Sequence, residues 1–518
     1  MNIIKLTLIC SIMTIVGCSS SNGSLDINQG TSLTEDDPVN AAANGSITLS
    51  AEPSPMLQPL PEVEFNGEFA DTSTGTDGRT ESLFDDGVAL AETSPATTGG
   101  TDGGSSDGAS IGSGTDAGTT GDAAVSDSYV STRPGAPTPT TPEQFQAGTL
   151  TAADYDDQLN PHLYQSYASA FLQRVGGKLD LPYLDLSNRI ALHVEDEFGA
   201  PYAGAKIELS DGNNDFLSLT TPASGTTYLY TNVDNLPEQF VLRAVGDTGA
   251  DVHQTISLTD AYAAGAINIV ISDYVPLTDQ QSPPTQLDIM FVVDTTGSMG
   301  DELNYLQTEL TQIINAIPFE KNLLNIGLTF YRDIGDAYVV RAHGFTNDIG
   351  MAQQTLNNES YDGGGDYPEA MDQALHQAID ANWSANSNRI VFLIADAPPH
   401  GDKMRATWDA ATQARLKNIH IVPIAASGVG EDAEYLMRSM AAYTNSRYLF
   451  LTDDSGFGNP HAEPNVDCYV VTQLDNLMKR VVNSLVTGYR DEPTDNDIVR
   501  RVGDYDQGKC RTGQTTQR

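Results

Sequence analysis

Leu287-Asp-Ile-Met-Phe-Val-Val-Asp-Thr-Thr-Gly-Ser298 is the stretch whose reading decides the fold. Its first seven residues are an almost unbroken apolar run, the pattern of a strand buried on both faces in a parallel sheet. From Asp301 the period changes, and Leu303, Leu306, Leu310, Ile313, Ile314 and Ile317 share one face of a helix. Strands are then expected at 324–330, 389–395, 420–425 and 448–451. Amphipathic stretches at 368–381, 404–417 and 432–442 lie between them. This alternation predicts a doubly wound α/β domain over residues 285–490.

In such sheets ligands gather beyond the carboxyl ends of the strands. Three sets of oxygen donors fall there. The first strand runs into Asp294, Thr296 and Ser298, whose alternate positions can face one point as the chain turns into a helix. The 389–395 strand runs into Asp396-Ala-Pro-Pro-His-Gly401, and Gly363-Gly-Gly-Asp-Tyr-Pro-Glu369 is a tight loop with Asp366 at its tip. Converging carboxylates either take up protons at unusually high pH or enclose a cation. Hydroxyls with a few carboxylates suit a hard ion, Mg²⁺ first, with Mn²⁺ or Ca²⁺ as alternatives. Thiolate or multiple histidine ligands for zinc are absent from the three loops.

Asp294-x-Thr296-x-Ser298 resembles the Asp-x-Ser/Thr-x-Ser signature of the metal-ion-dependent adhesion site in von Willebrand factor A domains. The other two loops are similar to a bacterial and extracellular branch of that family. The resemblance implies a Rossmann-like domain in which Thr296 and Ser298 are hydroxyl ligands, while Asp294 and Asp396 act directly or through water. Asp366 falls where many members place a ligand threonine, and a third carboxylate there would weaken the ion's pull on an acidic group of a partner. The run also fits a plain helix cap. His400 reads as a loop-stabilising neighbour of Asp396, with a catalytic base as the alternative, and Tyr331-Arg-Asp333 reads as structural.

A chain of 518 residues exceeds what one apolar core supports, so further folded units are expected. Residues 185–275 change to period two, with Ile190–Val194, Lys206–Leu209, Thr227–Tyr230, Gln239–Arg243 and Ile267–Ile271 separated by turn residues. That predicts an all-β sandwich. Val194-Glu-Asp-Glu-Phe-Gly-Ala-Pro-Tyr-Ala-Gly-Ala-Lys-Ile207 resembles the opening hairpin of immunoglobulin-like and carboxypeptidase-regulatory-like modules. Asp211-Gly-Asn-Asn-Asp215 reads as a turn, with calcium as the alternative. Residues 142–184 are expected to be a helical lead-in, starting at Leu150–Asp154 and carrying Tyr164, Tyr167, Ala168, Phe171 and Leu172 at helical spacing.

Residues 18–141 are dominated by Gly, Ser, Thr, Asp and Ala, too poor in apolar area to offset the entropy of ordering, and read as a long disordered tether. Before them, Lys5 and the apolar run Leu6–Val16 form a signal peptide over 1–17, too short to span a bilayer. Ile15-Val16-Gly17-Cys18 resembles the lipobox of bacterial lipoproteins, which implies acylation of Cys18 and a cell-envelope address; Ser19 favours the outer membrane. Cys10 leaves with the signal. In an oxidising envelope Cys468 and Cys510 read as a disulfide that ties the 491–518 tail, two unpaired thiols being the alternative.

Seventy acidic against 26 basic residues give a formal charge of −44, which disfavours nucleic acid as a partner. Together these readings predict a lipid-anchored, cation-dependent protein-binding module whose partner offers a carboxylate or other oxygen donor. The alternatives are a scaffold whose metal is only structural, and a metal-assisted hydrolase. No nucleophile–base pair or phosphate-cradling loop supports the last, so an enzyme is not expected.

Overall fold

The computed structural model describes residues 45–51, 150–272 except 182, and 286–511 except 318, 457–460 and 462. The signal peptide, Cys18 and most of the 18–141 stretch lie outside the described residues.

The first elements are β1 (Gly45–Ala51), β2 (Thr151–Tyr155), α1 (Pro161–Val175), β3 (Arg189–Asp196), β4 (Lys206–Ser210), β5 (Asp215–Thr220), β6 (Thr226–Tyr230), β7 (Gln239–Val245), β8 (Asp251–Ser257), α2 (Leu258–Ala264) and β9 (Gly265–Ile271). Two four-stranded sheets, β1-β9-β3-β6 and β5-β4-β7-β8, close on one apolar core. β3 gives that core Ile190, Leu192 and Val194, which meet Leu209, Phe240, Ile256 and Ile269. The unit is thus a two-sheet sandwich, as the alternation predicts. Asp211 closes the β4–β5 turn by accepting the backbone N–H groups of Asn213 and Asn214, both at 2.8 Å, so the turn reading of 211–215 describes it.

Two expectations are corrected here. Gly45–Ala51, inside the stretch read as disordered tether, is a strand paired along its whole length with β9. Its alternation of Ile47 and Leu49 with hydroxyl residues is enough for an edge strand once a sheet is there to receive it. Leu150–Asp154 is not a helix start either, because 151–155 form β2 with every residue buried. Ala152 and Ala153 favour a helix locally, but the slot between two other strands outweighs that preference. The helix of the lead-in is α1, begun by Pro161 and ended by Gly176 at φ 59°, a left-handed conformation that suits glycine.

The chain continues with β10 (Gln286–Asp294), α3 (Gly300–Ala316), β11 (Leu324–Tyr331), β12 (Val340–Thr346), α4 (Ile349–Asn357), α5 (Met371–Ile379), β13 (Ser387–Ala395), α6 (Met404–Leu416), β14 (Ile419–Ala425), α7 (Glu431–Tyr443), β15 (Tyr448–Thr452), β16 (Tyr469–Gln473), α8 (Leu474–Thr487) and β17 (Arg500–Val502). They build a nine-stranded sheet in the order β12-β11-β10-β13-β14-β15-β2-β16-β17. Its five strands from β11 to β15 are parallel, and the flanking strands pair antiparallel. Helices cover both faces: α1, α5, α6 and α7 contribute to one core, α3, α4 and α8 to the other. This is the doubly wound arrangement.

The chain leaves β10 for β11 on one side and returns to β13 on the other, so the strand order reverses between β10 and β13. A crevice opens at such a reversal. The tail contributes β17 and is joined by a Cys468–Cys510 disulfide. Closing a loop of that size is worth up to about 4 kcal/mol in the chain-entropy account.

Candidate functional site

Asp294 is the last residue of β10 and is fully buried beside the strand reversal. Its Oδ1 accepts the Thr296 N–H at 2.9 Å and the Thr296 hydroxyl at 2.7 Å, and Thr296 Oγ1 lies 3.3 Å from Ser298 Oγ. The turn therefore brings Asp294, Thr296 and Ser298 together. The buried Tyr331 hydroxyl faces the same carboxyl. Burial raises the Asp294 carboxyl to about 8, and the charge of Asp396 adds to the shift.

Asp396 follows β13 across the reversal and is buried. A third buried carboxyl, Glu369, feels the charges of Asp294 and Asp396. It is 3 % exposed, pushed up to about 10 by burial and then by Asp294, Asp333, Asp396 and Asp336, and its Oε2 has no hydrogen-bond partner among the described residues. Asp366, three residues earlier, lies exposed at the loop tip. Asp366 stands at the loop tip, where the family resemblance implies a ligand, whereas Glu369 gives no such signal because the motif there reads as the lead into a helix.

The glycines explain why the loop can approach so closely. Gly363 and Gly364 have φ of 83° and 73°, and a Cβ on Gly364 would come within 3.0 Å of both Glu369 Oε1 and Thr296 Cβ. Backbone bonds lock the loop onto the first turn: Gly297 N–H donates to Gly363 O at 3.2 Å and Asp362 N–H to Thr295 O at 3.1 Å. Glu369 N–H donates to Pro398 O at 3.0 Å, which joins the loop to the Asp396 segment. Tyr367 ties in a fourth segment by donating to Asp396 O and accepting from Gly430 N–H at 2.6 Å.

Around this centre, His400 Nε2 lies 2.7 Å from Asp333 Oδ1, and Asp336 Oδ2 accepts the N–H groups of Asp333 and Gly364. His400 thus supports a loop, and its partner is Asp333 instead of Asp396. Arg332 is buried over the Tyr338 ring, and Tyr338 meets Thr295 at 2.6 Å. Tyr331-Arg-Asp333 is structural in this sense.

Buried carboxyls whose ionised forms are disfavoured by burial and by one another are a donor set that a hard cation suits. Among the described residues no group of three His, Cys, Asp or Glu side chains is placed to hold an ion by itself. The oxygen donors that the turn adds beside Asp294 are the hydroxyls of Thr296 and Ser298. Replacing Glu369 with Gln is expected to change the cation dependence of thermal melting, whereas Asp366→Asn leaves it within about 1 °C of the native chain. Equal effects from both substitutions would put the third carboxylate at Asp366.

The fold is a doubly wound α/β domain with buried carboxyls and hydroxyls beside its strand reversal. Residues 288–458 match the family model of the von Willebrand factor A domain. The chain is 36 % identical over 114 residues to a putative ariadne-like RING finger protein of Acanthamoeba polyphaga mimivirus, covering 22 % of this chain and 11 % of that protein. It is 27 % identical over 128 residues to an alpha-protein kinase of Dictyostelium discoideum, covering 24 % and 20 %. The chain thus spans a fifth or less of the length of these curated relatives. Among solved structures, the open conformation of the pilus adhesin SpaC from Lactobacillus rhamnosus GG is similar at 12 % identity, with a TM-score of 0.30 over 55 % of this chain and 35 % of the other.

Proposed function

We propose that this chain is a cation-dependent protein-binding module of the cell envelope, acting in adhesion or assembly. The observation that supports the reading is the turn that joins Asp294, Thr296 and Ser298 at the strand reversal, with the charges of buried Asp396 and Glu369 near enough to be felt there. Those five residues would hold Mg²⁺, or Mn²⁺ or Ca²⁺ in its place. When bound, the ion supplies a Lewis-acidic position to a carboxylate or other oxygen donor of a protein partner. The chain's own part is to fix the donors, through Gly363, Gly364 and Tyr367, and to keep their charges close enough to need a cation.

In this proposal Cys18 carries lipid, and because β1 docks on β9 only residues 18–44 give the folded part its reach from the outer membrane. Among the described residues no helix is long and apolar enough to cross a membrane. The two-sheet unit, immunoglobulin-like or carboxypeptidase-regulatory-like, serves as a base for the α/β domain. Tyr230 meets Tyr443 with ring centroids 5.3 Å apart, and buried Arg415 pairs with Asp234 at 2.6 Å, so that base is firmly joined.

The test compares proteins captured from envelope extracts by the native chain and by Asp294→Ala, each with and without EDTA. Partners are expected to be lost on chelation and in the variant, and Cys18→Ser is expected to leave the membrane fraction. Capture that ignores both treatments would point to a scaffold whose metal is only structural. Turnover on phosphoesters or peptides, lost in Asp396→Ala, would favour a hydrolase.

A further inference from the structure

β1 is the outer strand of its sheet and pairs antiparallel with β9 from Gly45↔Ile271 to Ala51↔Gly265. Its side chains add little to that ladder. Ile47 alone is buried, Leu49 is 39 % exposed, and Ser50 Oγ accepts the Asn268 amide at 2.5 Å. Gly45 has φ 149°, and any Cβ there would collide with the Val270 carbonyl, so close backbone approach is what the segment is built for. Withdrawn, it would leave β9 with a row of open N–H and C=O groups and an apolar slot by Ile269, which is an acceptor for another strand.

The 98 residues from 52 to 149 separate this strand from the rest of the described chain. The entropic cost of closing so long a connection grows only slowly with its length, and the same segment of a second copy competes for the acceptor without it, in proportion to concentration. The occupant with the right register, the glycine at the close approach and the isoleucine for the slot is present in every copy. We propose that the β9 edge is a strand-acceptor site, and that residues 45–51 of a second copy of this chain occupy it, joining chains by strand exchange.

Thr48 and Asn268 oppose each other across the ladder. One full chain carrying Thr48→Cys and another carrying Asn268→Cys are mixed under mild oxidation, and the 48–268 linkage is read by peptide mass spectrometry. In that mixture the linkage can form only between chains. It is expected to rise roughly in proportion to concentration and to disappear when Gly45→Val is added to the first chain. A chain carrying both cysteines should link within itself. Internal linkage without any between-chain linkage in the mixture would overturn the proposal, as would a between-chain linkage indifferent to Gly45→Val.

Discussion

Asp294→Asn is expected to melt at a higher temperature than the native chain in EDTA at pH 8, and to lose the native chain's stabilisation by Mg²⁺ or Mn²⁺. The sign follows from the carboxyls at the crevice. Asp294 moves from 3.8 up to about 8 and Glu369 from 4.5 up to about 10, chiefly through burial and then through neighbouring charge. A carboxyl raised by folding stabilises fully below its unfolded value and loses that contribution as pH climbs through the folded value. The cation-free native chain should therefore lose stability between about pH 4 and pH 10, and Asn removes one of the charges responsible. A cation favours the charged forms, so its benefit should grow over the same range. At a hundredfold excess over Kd the gain is about 2.7 kcal/mol, or roughly 5–10 °C for a domain of this size. A flat pH profile in EDTA, with Asp294→Asn merely less stable, would remove the carboxylate cluster as the cause.

Arg438→Met is expected to cost about 3–5 kcal/mol, because removing one member of a buried ion network strands the others. Arg438 is 1 % exposed; it donates to Asp157 Oδ1 at 2.7 Å, to Glu434 at 3.2 Å and to Asn465 O at 2.7 Å, and lies 3.9 Å over the Tyr167 ring. It thereby fastens α7 to the segment after β2 and to the loop at 465. Even with Arg438 present, burial raises Asp157 and Glu434 above their ordinary values. Adding Asp157→Asn to Arg438→Met should recover part of the loss, since it removes one stranded charge. Chemical denaturation measures both. A loss under about 1 kcal/mol would mean that water reaches these groups once the arginine is gone.

The parallel strands were legible because a strand buried on both faces must be apolar throughout, as Leu287–Val293 nearly is. The donors at their ends were legible for a related reason: Asp294 and Asp396 interrupt apolar runs where a sheet stops. β2 was not legible, since Thr-Ala-Ala-Asp-Tyr carries no strand pattern and Asp154 is tolerable inside only because Arg447 and Arg490 reach it from distant segments. β12, with Arg341, His343 and Gly344, is an edge strand whose exposure removes the apolar signal. Glu369 shows the same limit within the site, because burial decides which acid of a Gly-Gly-Gly-Asp-x-Pro-Glu loop turns inward, and burial is a property of the assembled loops.

The most direct test of the cation site is titration of the purified chain with Mn²⁺, reading free ion by electron paramagnetic resonance. One ion per chain is expected, displaced by Mg²⁺, and lost in Asp294→Ala and in Thr296→Ala. Binding that is absent at millimolar ion, or that persists unchanged in both variants, would contradict the account.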